Sequence, residues 1–212
     1  AALDGSATAQ VRGLPALGGN FGLSKMRAKI SGGEAEVAAS VLKGGLLADG
    51  RVRLAGKWPY NLSSTFRDFD PTRIVDLGEQ VESRATGSLF SQGALLEPTK
   101  VLADFRIDAW SIRVAGEQLN AMRTVNVQWA NETLVVPEAA FAGPDIRLLV
   151  AGKIPLRSPM RLRVFGDGSL NALALMSNRV KRGRGSTKFS LDIGGLLERP
   201  TFDGELSIEN GA

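Results

Sequence analysis

LDIGGLLERPTFDGELSIENG, residues 191 to 211, alternates apolar and polar positions on both sides of a cluster of glycine and proline. Phe189, Leu191 and Ile193 share one parity before Gly194 and Gly195, and Leu206 and Ile208 share one after Pro200 and Gly204. Period two makes one face apolar and the other wet, the pattern of a half-buried antiparallel strand. Proline removes a ladder donor and glycine permits tight bends, so the stretch predicts strand, turn, strand, with the connection at the glycines and proline.

The composition suits many such units. The chain has 212 residues, 43% of them apolar, with 25 glycines and only 6% aromatics. That is enough to bury a core and favours short strands and turns. Cysteine is absent, which excludes a disulfide framework and thiolate chemistry. Histidine is absent too, removing the commonest general base and metal ligand and any Ser-His-Asp triad. The 26 basic and 22 acidic residues leave a net charge of +4, a mild lean toward an anionic partner such as a membrane surface or nucleic acid. No apolar run approaches the roughly 18 residues that span a bilayer. The chain starts Ala-Ala-Leu-Asp, without methionine or a signal-like region. It therefore reads as a processed protein or a fragment, with any membrane anchor outside it.

The sequence repeats. AGKWPY begins at Ala55 and AGKIPL at Ala151, 96 residues on. The same offset joins Met26-Arg27 to Met122-Arg123, Glu36 to Glu132, Asp49 to Asp145 and Arg51 to Arg147. Residues 26–60 and 122–156 share nine identities in 35 ungapped positions; unrelated sequences share about two. GALLEPT (93–99) answers GGLLERPT (194–201), and PALGGNFGL from Pro15 matches PTFDGELSI from Pro200. The copy at Pro98 needs one extra residue and has Ala103 in place of the glycine. The expected units are 1–25, the end of a preceding repeat, then 26–115 and 116–212.

Strand patterns recur at 51–58, 103–114, 124–129, 147–154 and 160–166, with a change of phase between Ile107 and Ile112. Two short helices are expected as well. One runs over TRIVDLGEQV (72–81) behind Asp70 and Pro71; the other, LNALALMSNRV (170–180), is capped by Ser169. One-faced antiparallel strands in series can close as a barrel, pair as a sandwich or extend as an array. The unit is too long for a propeller blade. Motif copies at both chain ends favour the array over tandem immunoglobulin-like domains. The expected fold is all-β, an elongated antiparallel sheet curled into an open apolar groove.

The succession of AGKIPL (151–156), SLNALALM (169–176) and GGLLERPTFDGELSIENG (194–211) resembles the repeats of TamB proteins. These stand with AsmA-like and other repeating β-groove proteins of diderm bacterial envelopes. The resemblance runs over nearly the whole chain and is most specific at 189–211. It implies a taco-shaped sheet in the periplasm, on a much longer protein anchored in the inner membrane. It implies phospholipid acyl chains and an Omp85-type outer-membrane partner (TamA-like) as partners, not nucleic acid. Phospholipid transport between membranes and support of outer-membrane protein and autotransporter assembly are the functions it implies.

That function calls for no enzyme activity, cofactor or metal. A two-chain lipid with about 30 methylenes loses roughly 20 kcal/mol or more on entering water, and a continuous apolar trough removes most of that penalty. The candidate lining residues are Phe105, Ile107, Val125, Val127, Leu162, Val164, Phe189, Leu191, Ile193, Leu206 and Ile208. Pattern does not separate a groove from a dry core; the residues alone favour the dry core, and the resemblance favours the groove. The basic cluster Arg179, Lys181, Arg182, Arg184 and Lys188 is either a headgroup contact at the groove rim or a solvated loop. It lacks the spacing of a phosphate loop, and GDGSLN (166–171) lacks the third glycine of a dinucleotide site. Two other classes stay open: a structural or adhesive secreted β-solenoid, and a scaffold that holds outer-membrane strands by β-augmentation.

Overall fold

The computed structural model describes residues 4–12, 23–41, 45–71, 81–114, 117–169, 185–197 and 199–210. Wherever apolar and polar residues alternate, these form strand: β1 (Gly5–Arg12), β2 (Leu23–Ser31), β3 (Glu34–Val41), β4 (Leu46–Arg53), β5 (Pro59–Phe69), β6 (Val81–Ala94) and β7 (Leu102–Val114). There follow β8 (Glu117–Ala121), β9 (Val125–Ala130), β10 (Thr133–Ala142), β11 (Ile146–Pro155), β12 (Arg161–Ser169), β13 (Ser186–Leu196) and β14 (Arg199–Glu209). All belong to one antiparallel sheet, and their order in it is their order in the chain. β8 and β9 both pair with β7 on one side and β10 on the other, so together they act as one strand broken at residues 122–124. The sheet runs without a break through both expected unit boundaries.

The opening stretch is the β13–β14 hairpin, as its alternation requires. Its bend falls later than expected, since β13 runs on to Leu196 and β14 begins at Arg199. Gly194, Gly195 and Pro200 lie inside the ladder, with Gly195 facing Pro200. Proline is tolerated there because no described strand pairs with the outer side of β14, which leaves that side free of ladder obligations. A second correction concerns 51–58, where β4 ends at Arg53 and AGKW makes a turn with Gly56 at φ 61°. The second copy of the motif, AGKI, stays in strand β11. The phase change in β7 is a bulge. Gly87 faces Ile107 while Thr86 faces Ala109, leaving Asp108 as the extra residue. A Cβ on Gly87 would stand 2.1 Å from the Arg106 carbonyl oxygen, so this crossing needs glycine.

The expected helices at 72–81 and 170–180 fall outside the described residues except at their edges. Val81 opens β6 rather than ending a helix, and Ser169 closes β12 opposite Ser186. A 3₁₀ turn, Pro98–Lys100, joins β6 to β7.

Contacts between elements follow the ladder, and no described element packs broadly across either face of the sheet. Burial is concentrated in the middle. Ala85, Ile107, Val125, Val127, Ala139 and Phe141 form the core, with Trp110 edge-on to Phe141 at 5.4 Å between ring centres. The accessible surface is 14198 Å², where a compact monomer of this mass has about 9,500 Å². A single layer explains the excess, because each strand can hide only against its ladder neighbours.

Candidate functional site: an uncharged sheet face

Directly opposed residues in an antiparallel ladder share a face, so one face can be followed from strand to strand. Beginning at Ala7 it passes to Ala28, Val37, Gly50, Leu62 and Ser91, then to Ala103 and Trp129. From Leu134 it continues through Ile154, and through Val136 by Gly152 and Leu162 to Ile193 and Phe202. At this parity the described ladders hold one charged residue, Glu117, which sits at the first position of β8 beside the hairpin turn. The opposite parity carries the ions: Lys25, Arg27, Lys29, Arg51, Arg113, Arg163, Asp192 and Glu205 are among them.

All eleven expected lining residues lie on the uncharged face. Phe105 faces Val127, Ile107 faces Val125, Leu162 faces Ile193, Val164 faces Leu191 and Phe189 faces Leu206, while Ile208 faces Thr187. Their surroundings divide them. Ile107, Val125 and Val127 belong to the packed core, with Phe105 against it, and Val125 has no exposed surface. Leu206 and Ile208, on β14, remain 53% and 50% exposed. The face is thus dry in the centre and open toward β14. Phe202, exposed on the same strand, extends that open end. Its parity with Leu206 is the signal that identifies it.

The neutral polar groups on this face are mostly satisfied within it. Trp110 Nε1 donates to Ser83 Oγ at 2.9 Å, Tyr60 and Ser91 share a hydrogen bond of 3.0 Å, and Thr187 Oγ1 donates to the Gly168 carbonyl at 3.1 Å. Ser64 Oγ is buried without a partner among the described residues. Glycines make room for rings. The Phe189 ring lies where a Cβ of Gly166, its cross-strand partner, would stand.

On the charged face the ions pair across the strands, Arg163 with Asp192 at 2.9 Å, Arg113 with Glu82 at 3.2 Å and Arg51 with Glu36 at 3.4 Å. The hydrogen bond to Asp192 holds the Arg163 pKa above its ordinary value. An open depression of about 700 Å³ over β1–β5 also belongs to this face, lined by Ser6, Thr8, Arg27, Lys29, Asp49 and Arg51 among others. Of the expected basic cluster, Lys188 projects here and pairs with Glu209 at 3.5 Å. Arg179, Lys181, Arg182 and Arg184 lie outside the described residues. Among the described residues, no three acidic side chains are gathered as a metal site. Chemically, the face can hold apolar matter against a sheet whose ladder ions, Glu117 apart, point the other way.

None of the protein families, curated proteins or solved structures compared with the chain matches it.

Proposed function

We propose that this chain is part of a TamB-like envelope protein whose uncharged sheet face carries phospholipid acyl chains between the inner and outer membranes. The observation that supports the reading is the near-total absence of charge from one face across every described ladder. A charge on that path adds several kcal/mol of desolvation for a passing chain, and an uncharged path adds none. In the longer protein the sheet curls, so that this face lines a groove and the charged face meets the periplasm. The inner-membrane anchor lies outside the chain, and an Omp85-type protein receives the far end. Assembly of outer-membrane proteins then draws on the lipid supplied. No bond is made or broken, in keeping with a chain that lacks histidine and cysteine.

Mass spectrometry of lipid extracted from the purified protein tests this, together with photo-crosslinkers at Leu162, Leu191 and Leu206. Lipid adducts at these positions, and none at Arg163 or Ser190 on the other face, are expected. Folded protein that carries no lipid and forms no adducts would overturn the reading.

One observation favours a second reading. Among the described strands β14 is an edge, exposed along its whole length. An open edge accepts an extended chain by β-augmentation, as a scaffold for outer-membrane strands would. Crosslinks from β14 to outer-membrane protein precursors, with none to lipid, would select it.

A further inference from the structure

The recurring motifs of the sequence meet in space. AGKWPY supplies the β4–β5 turn and GALLEPT the start of the β6–β7 connection. The Leu95 N–H donates to the Trp58 carbonyl at 3.0 Å and the Leu96 N–H to the Lys57 carbonyl at 3.3 Å. Lys57 also pairs with Glu97. The second copies do the same. AGKIPL leads into the β11–β12 connection and GGLL closes β13 ahead of β14, and the Met160 N–H, four residues beyond AGKIPL in that connection, donates to the Gly195 carbonyl at 2.7 Å. In a meander the turns alternate between the two ends of the sheet. These four connections all fall at the same end.

Turns ordinarily carry polar residues. These carry Trp58, Leu95 and Leu96 in one tip and Leu156, Leu196 and Leu197 in the other, each between 42% and 61% exposed. Trp58 is held at φ 57°, a left-handed conformation unfavourable for a bulky residue. Among the described residues, cations exceed anions around the tips. Glu97 is shared by Lys57 and Lys100, and Glu132 takes Arg157, while Arg199 stands at the start of β14.

We propose that this end of the sheet docks on an anionic lipid surface, the apolar tips entering among the headgroups and the cations facing lipid phosphate. Indole and leucine beside lysine and arginine is the chemistry of the membrane interface. The two tips lie six strand spacings apart, about 29 Å along the sheet. A fluid surface receives both separately, whereas a folded partner would need one shaped counter-surface spanning the gap. This docking does not depend on lipid being carried along the uncharged face.

The test is co-sedimentation of the purified chain with phosphatidylcholine vesicles, with and without phosphatidylglycerol. Binding to the anionic vesicles that falls as salt rises is expected. Replacing Trp58, Leu95 and Leu96 together by Ser, or Leu156, Leu196 and Leu197 together by Ser, should weaken it roughly tenfold or more. Because the chain has no cysteine, Leu96→Cys and Leu197→Cys can each be labelled singly with an environment-sensitive dye, with Arg84→Cys on the charged face as control. The tip labels should brighten and shift to the blue on anionic vesicles while the control does not. Failure of the unmodified chain to bind them, or tip labels that continue to report water on the vesicles, would overturn the proposal.

Discussion

Ser64 and Ser83 occupy the same uncharged face, yet their hydroxyls have opposite consequences. Ser83 accepts from the Trp110 indole, whereas Ser64 Oγ is buried with no partner among the described residues. A buried hydroxyl without a hydrogen bond contributes only its desolvation penalty. Ser64→Ala should therefore be neutral or stabilising by up to about 1 kcal/mol, and Ser83→Ala destabilising by about 1–2 kcal/mol through the stranded indole N–H. Urea denaturation of the two variants checks the contrast. At the tip, the hydrogen bond from Lys57 is the main cause that holds the Glu97 carboxyl below its ordinary pKa, with Lys100 assisting. A depressed carboxylate contributes stability that is present above its unfolded pKa and lost as pH falls through the folded value. Lys57→Met should thus move the Glu97 titration midpoint upward, toward the usual carboxylate range. Carboxyl chemical shifts followed against pH measure it; an unmoved midpoint would mean that the ion pair does not form in solution.

β9 and β14 show how alike strands diverge. Each alternates apolar and polar residues on the same face, but β9 lies between β7 and β10, and β14 has one described neighbour. Val125 is fully enclosed in the central cluster with Ile107, Ala139 and Phe141, and Ile208 is half exposed. An aspartate at Val125 must lose its water, at several kcal/mol, whereas one at Ile208 keeps most of it. Val125→Asp should abolish cooperative folding, and Ile208→Asp should leave the circular dichroism spectrum unchanged. Comparable losses at both sites would mean that β14 is covered in solution.

For the whole molecule, the single layer is the controlling fact. A sheet that leaves much of one apolar face accessible hides less surface than a two-layer domain of equal length. The dependence of unfolding free energy on denaturant should therefore be shallower than for a compact protein of 212 residues, since that slope scales with the surface newly exposed. A steep, compact-domain slope in urea would show the face to be covered. Among the described residues β1 and β14 each have one ladder neighbour, which has a further consequence. Open backbone donors and acceptors beside apolar residues favour self-association, so sedimentation velocity should show larger species as concentration rises. A strictly monomeric chain at high concentration would mean that something covers both edges.

The alternation at 103–114, 124–129, 160–166 and on either side of the glycines in 189–208 was sufficient to place those strands and their faces, because Cβ atoms alternate across any strand whatever its partners. For that reason all eleven expected lining residues share one face, and the slip of phase read inside 103–114 is the trace of the bulge that the pairing with β6 reveals. Burial along that face was not legible, since it depends on which distant residues are brought against each position: Val125 is enclosed with Ile107, Ala139 and Phe141, whereas Ile208 lies on a strand with one described neighbour. The bends were legible only in part. Gly194, Gly195 and Pro200 have the chemistry of a turn, but the register with β14 draws them into the ladder. Likewise AGK turns at 55–57 and extends at 151–153, because pairing with β12 reaches Lys153 while pairing with β5 stops at Val52. The meeting of the recurring motifs at one end of the sheet belongs to tertiary structure alone. It follows from the parity of a meander, which brings together turns that lie about forty residues apart in the chain.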